Sequence, residues 1–280
     1  MNKIDHFFIK SNEYNDNKNN KKKYTRSFTF TSGDAGENHV GMQILGKKHI
    51  SGLNNKDMTE IAQTLTKMNI KHEIIHLKPL LNQELRKQLH EEKEASLIVI
   101  RNLLSKEEAD NIFEEQSGID WDNWYYDIRR SKVLNKRRRH NLLYDEVGQK
   151  SDHHKKGTVI AWSDAPLLKK GVDKLTHLVG EMADSLITEG NDYYDIHKKG
   201  IGIGYHGDTE RNKVFALKIG ATMELRYRWH YRHSIVSDES VITLNHGDAY
   251  IMSEKAVGSD WKKSSIPTLR HCSVPPGVKE

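Results

Sequence analysis

Short apolar runs separated by polar turns dominate the second half of this chain, whereas the first half mixes helical patterns with isolated strands. Between 57 and 68, Ile61, Leu65 and Met68 recur at helical spacing and predict a helix. Ile70, Ile74 and Ile75 then suggest a strand ending at Pro79, and a further helix is expected over about 81–94. Residues 28–53 carry many glycines and short apolar pieces and read as loop-rich. The unbroken apolar run within 96–101 predicts a buried strand. Ser105 and Glu108 follow at capping-box spacing, and Ala109, Ile112 and Phe113 give the ensuing helix an apolar face. From Gly200 the texture changes. Extended segments are predicted at 201–205, 213–219, 222–229, 241–244, 249–252 and 266–271, with turns at Gly220, Asn245-His246-Gly247-Asp248 and Gly258. Short strands so closely spaced point to a sandwich or jelly roll rather than to βαβ units.

A chain of 280 residues can form one large domain with an extension, or two small ones. Residues 1–25 are polar and Asn-rich, with Lys18, Lys21, Lys22 and Lys23, and are expected as a flexible tail. Residues 26–95 form an N-terminal extension of unknown role, and 96–280 the main domain. Apolar residues make up 36% of the sequence, enough for a core, and no run approaches the roughly 18 apolar residues of a membrane span. The opening MNKIDHFFIK has no signal-peptide core, and the lone Cys272 excludes an internal disulfide and fits a reducing compartment. These features predict an intracellular, soluble protein of the cytoplasm or nucleus, with no membrane association and no obligate protein partner.

The net charge of +5 is a mild basic bias. Much of it sits at Arg129, Arg130, Lys132, Lys136, Arg137, Arg138 and Arg139, just after Trp121, Trp124, Tyr125 and Tyr126. Cations beside aromatics can grip phosphates and stack a base, which makes DNA or RNA a partner to consider. A solvated basic loop beside core aromatics would give the same pattern.

The central motif is Tyr205-His206-Gly207-Asp208. Alternate side chains of a strand share a face, so His206 and Asp208 can address one ion. A neutral imidazole, a carboxylate and a second imidazole from a distant strand make the facial triad of non-haem Fe(II) oxygenases. Among the downstream histidines, His230 and His233 fall in an expected surface hairpin and His246 in a turn. His271 closes an apolar strand and is the best-placed third ligand; the alternative is a buried, hydrogen-bonded histidine.

The segment LIVIRNLLSKEEADNIFEEQ followed by Trp121, then Asn191-Asp192-Tyr193-Tyr194, YHGD and LNHGDAYIM, resembles the ordered motifs of AlkB-like dioxygenases over residues 96–271. The resemblance implies an α+β fold with a double-stranded β-helix (jelly roll) core and flanking N-terminal helices. It also implies Fe(II) and 2-oxoglutarate as cofactors, and oxidative dealkylation or hydroxylation, first of all of a nucleic-acid base. The family's iron ligands match His206, Asp208 and His271, and its Asn-x-Tyr co-substrate residues match Asn191 with Tyr193 or Tyr194. The family's basic lid would correspond to Arg137, Arg138 and Arg139 with Trp124 and Tyr126 as substrate-binding residues. The chain departs from the pattern after the HGD turn, where the family places its second histidine and then two arginines on the last strand. In one register Trp261 or Lys263 stands near the histidine position and Arg270 matches the final arginine. In the other, His271 is the ligand and only Lys279 follows as a cation. The second is preferred, because it alone supplies a second imidazole. Arg270, Lys279, Lys255 and Arg228 are then the candidates for anchoring the co-substrate carboxylate.

Other patterns compete. His72-Glu73-Ile74-Ile75-His76 spells HExxH, the zinc-protease signature of a helix. Ile74, Ile75 and Pro79 favour a strand instead, and no third ligand follows. His153-His154 reads as a solvated loop. A hydroxylase of a small molecule or protein side chain, and a catalytically inactive binding module on the same fold, are the functional alternatives.

Overall fold

The computed structural model describes residues 24–88 and 94–279; the expected N-terminal tail up to residue 23 lies outside them. The chain opens with β1 (Ser27–Gly33) and a small ladder of β2 (Ala35–Glu37) and β3 (Ile44–Gly46). Helix α1 (Asn55–Lys67) starts at a capping box of Asn54 with Asp57 and buries Met58, Ile61, Ala62 and Leu65; Ile61 and Leu65 are buried as their spacing predicts, whereas Met68 is the exposed C-cap. β4 (His72–His76) follows, so HExxH lies on a strand. The helix expected over 81–94 is only the short α2 (Gln83–Arg86) within the described residues. β5 (Ser96–Ile100) leads into α3 (Lys106–Ser117), where Ser105 and Glu108 form the expected capping box.

The hairpin of β6 (Trp124–Asp127) and β7 (Lys132–Asn135) carries the basic and aromatic cluster. Then come β8 (His140–Asp145), β9 (Val159–Ala161), α4 (Pro166–His177) and β10 (Ile187–Tyr193). The strand-rich remainder runs β11 (Ile203–His206), β12 (Val214–Gly220), β13 (Met223–Tyr231), β14 (Ser234–Ile235), β15 (Ser240–Leu244) and β16 (Ala249–Met252). A single turn, α5 (Glu254–Val257), precedes β17 (Thr268–Val274). His271 is therefore inside its strand, not at its end.

The result is a mixed α and β fold, mostly strands. A large curled sheet has the order β4-β5-β16-β12-β1-β10-β8-β9, and a smaller one joins β11, β17, β13, β14 and β15. β1 comes from the segment read as loop-rich, yet it pairs with both β10 and β12 in the middle of the large sheet. Its Phe28 and Phe30 face the helices, with Ile98, Ile100, Phe215 and Leu217. Leu97, Val99, Val214, Ala216 and Met252 project from the other face of that sheet, against Leu225, Tyr227, Trp229, Ile242 and Leu269 of the small sheet. Burial on both faces explains the unbroken apolar run of β5, since no side of it meets water. No helix among the described residues is long and apolar enough to cross a membrane.

Candidate metal centre

β11 and β17 are antiparallel neighbours, and their register sets His206 directly opposite His271. Cross-strand partners project on the same side, so the two rings meet with centroids 4.5 Å apart. Asp208 lies just beyond the end of β11, two residues from His206. Its Oδ1 is 3.4 Å from His206 Nε2 and 3.8 Å from His271 Nε2, and ligand atoms of all three residues lie within 4.8 Å of one another. Among the described residues this is the one such group of histidine, cysteine and carboxylate side chains.

The local backbone holds this arrangement. A side chain at Gly207 would run into the Gly258 carbonyl and the Trp261 ring, so glycine is required between the two ligands. The Asp208 N–H donates to the Val257 carbonyl at 3.1 Å, and Trp261 Nε1 donates to Thr209 Oγ1 at 3.1 Å. Lys255, buried beneath this loop, is pinned by Asp260 at 2.6 Å and the Pro267 carbonyl at 2.7 Å. His206 Nδ1–H donates to the Gly204 carbonyl at 2.8 Å, which keeps the proton on that nitrogen and leaves the Nε2 lone pair for a ligand. His271 Nδ1 lies toward the Ala256 backbone without a well-aligned hydrogen bond.

Burial opposes charge on His206, but the hydrogen bond and charge of Asp208 outweigh it and raise the ring above its ordinary value. Burial, with His206 next to it, pushes His271 down to about 4, so it is neutral at physiological pH. Burial alone would raise Asp208; His206, Arg211 and His271 together hold its carboxyl well below the usual range. Once His206 has released its proton, two imidazole nitrogens and an ionised carboxylate converging from one side are the donors that a divalent transition metal takes, and they fit a facial three-ligand site.

The three ligands open into a cleft of about 1230 Å³. β1 contributes Thr29 and Thr31 to its wall, β10 contributes Glu189, Asn191 and Tyr193, and Tyr250 and Ser273 complete the deep end. The Asn191 Oδ1 is buried without a protein partner. Arg211 is central: its guanidinium reaches Glu189 at 2.5 Å, Glu210 at 2.9 Å and Asp208 Oδ2 at 3.7 Å, with the side chain 3% exposed. No sequence motif singles it out; its place three residues after Asp208 is the one signal that points to it.

The expected site residues divide. His206, Asp208 and His271 meet, and Asn191, Tyr193 and Arg137, Arg138 and Arg139 line the same cleft. Tyr194 stands outside, its hydroxyl donating to the Arg137 carbonyl and its ring stacked on His140. Arg270 pairs across the strands with Arg228 and lies over Trp261, on the face of β17 opposite to His271. Lys279 is exposed beyond the last strand. Lys255 is buried in its ion pair, and Arg228 is held by Glu239 at 2.7 Å. None of these four anchor candidates lines the cleft. Trp124 and Tyr126 point to the far side of their hairpin, onto His153 and His154; Tyr125 between them faces the cleft and packs at a tilt against His39. Strand alternation was the signal for Tyr125.

No family model matches the chain. It is 38% identical over 252 residues, 88% of its length, to an uncharacterized protein of Acanthamoeba polyphaga mimivirus, of which the match covers 95%. The two proteins belong to one family.

Proposed function

We propose that this member of the viral protein's family is a non-haem Fe(II) oxygenase that uses 2-oxoglutarate, built on a double-stranded β-helix and related to the AlkB-like enzymes. The observation that carries the reading is the convergence of His206, Asp208 and His271 in the wall of a large cleft.

The strand order supports the architecture. Along the chain β10, β12 and β16 fall in the large sheet and β11, β13, β15 and β17 in the small one, so the chain winds back and forth between facing sheets. A strand following β17 would return to the large sheet between β10 and β12. β1 occupies that place, so the N-terminal strand closes the barrel.

When bound, iron with the 2-oxo acid and dioxygen supplies the oxidising chemistry that hydroxylates a C–H bond or removes an alkyl group. The chain's own residues position and exclude. His206, Asp208 and His271 would hold the metal where all three face the cleft. Asn191 and Tyr193 offer hydrogen bonds to the co-substrate, and Arg211 fixes the Asp208 carboxylate. Arg137 and Arg138 on the rim suit the phosphates of a nucleic-acid strand, with Tyr125 as a stacking surface. Glu37, Glu189 and Glu210 line the same cleft, and their carboxylates disfavour phosphates inside it and leave a base as the part that enters.

Anaerobic addition of Fe(II) and 2-oxoglutarate to the full chain tests the proposal. The visible band of chelated iron is expected in the wild type and not in Asp208→Ala. A wild type that binds Fe(II) and gives no band refutes the reading.

A further inference from the structure

A dicarboxylic 2-oxo acid leaves one carboxylate away from the metal, and a buried carboxylate requires a cation. The last strand does not supply it. Arg270 is on the outer face of β17, and Lys279 is exposed past its end. β1, which stands beside β10, adds only Thr29 and Thr31 to the cleft wall. Of the cleft cations, Arg211 also has a buried Nη1 without a partner, but its charge is already met by Glu189, Glu210 and Asp208. Lys136 is turned to the backbone, its ammonium donating to the Asn141 carbonyl at 3.4 Å. Arg130, Arg137, Arg138 and Lys262 are exposed on the rim.

Arg139 remains. It immediately precedes β8, whose register with β10 pairs His140 with Asp192, and this sets Arg139 level with Tyr193 at the deep end of the wall. Its Nε is buried without a partner. The nearest carboxylate, Glu189, is 3.6 Å from its Nη2 and is itself held by Arg211 at 2.5 Å. A planar fork with a free donor, level with Tyr193 on the cleft wall, is suited to a carboxylate approached edge-on.

We propose that Arg139 holds the distal carboxylate of 2-oxoglutarate, so that the anchoring cation comes from the strand before β10 and not from the last strand. The inference rests on the oxygenase reading above, and the test separates the two.

The full chain, loaded anaerobically with Fe(II), is titrated with 2-oxoglutarate and separately with 2-oxobutyrate, which keeps the chelating end and lacks the distal carboxylate. The visible band reports binding, and Fe(II) affinity is measured alongside as a check on the fold. Arg139→Met is expected to weaken 2-oxoglutarate by on the order of tenfold to a hundredfold, the worth of a charge-assisted hydrogen bond. Binding of 2-oxobutyrate and of Fe(II) should be unchanged, and Arg139→Lys should fall between. Equal weakening of both acids, or no weakening of either, overturns the anchor, as does the same selective loss in Arg270→Met or Lys279→Met. A wild type that binds both acids with one affinity also removes the anchor and leaves the oxygenase reading standing. A wild type that binds Fe(II) but neither acid removes the co-substrate and the anchor together.

Discussion

The floor and the rim of the cleft carry similar residue types under opposite conditions. On the floor, Arg211, Asp208, Glu189 and Glu210 are packed into one ion-pair cluster, and Arg211 is almost without exposure. On the rim, Arg137 and Arg138 stand in solvent on the segment after β7. A charge out of water interacts strongly with each neighbour and cannot be removed without stranding another. A charge in water is screened and acts as one of many. Floor substitutions should therefore act singly and severely, and rim substitutions additively and with salt.

The largest effect is expected at the ligands. His271→Ala should take Co(II) or Fe(II) binding from stoichiometric to undetectable, read by the Co(II) ligand-field spectrum, while circular dichroism stays native. Retained stoichiometric binding would move the metal elsewhere. Next is Arg211→Met, which leaves Asp208, Glu189 and Glu210 facing one another without their cation. Stability should fall by about 3–5 kcal/mol at neutral pH, measured by denaturant midpoint. The stranded carboxyls would then titrate higher in the folded than in the unfolded state, so part of the loss should return as pH falls through their raised folded values, with no further gain below the unfolded values near 4. A variant as stable as the parent would show that the cluster contributes nothing to the floor.

A moderate effect is expected from pH. His206 takes up a proton above the ordinary histidine value because of Asp208, whereas His271 is held down to about 4 and Asp208 well below its usual range. Metal affinity should therefore begin to decline while the pH is still above the ordinary histidine value of about 6.5, with His206 the first ligand lost to protonation. Isothermal titration across that window checks it; a flat affinity down to about pH 5 would contradict the assignment of His206. The smallest change belongs to the rim. Arg137→Ala with Arg138→Ala should weaken single-stranded DNA or RNA binding without touching Fe(II) binding. The slope of log affinity against log salt should shrink by about 0.7 for each phosphate the variant no longer neutralises. An unchanged slope would leave nucleic acid without support and favour a small-molecule substrate.

Local patterns were legible from the residues alone. The Ser105–Glu108 box, the apolar spacing of α1, the buried run of β5 and the short strands after Gly200 depend on neighbours in sequence, and each is present where local chemistry put it. The pairing of His206 with Asp208 was equally visible, since both lie on one short segment. What lay beyond the sequence was everything set by register and by which sheet a strand joins. Seven residues from a glycine-rich stretch became the central strand β1, because its alternating Phe28 and Phe30 could be buried only between β10 and β12. Neighbouring residues 270 and 271 were separated to opposite faces of β17, because the pleat sends consecutive side chains to opposite sides. Arg139, far from the metal motif in sequence, was brought beside Tyr193 by strand pairing. Periodicity says which residues share a face; only the packing of one sheet against another says what that face encloses.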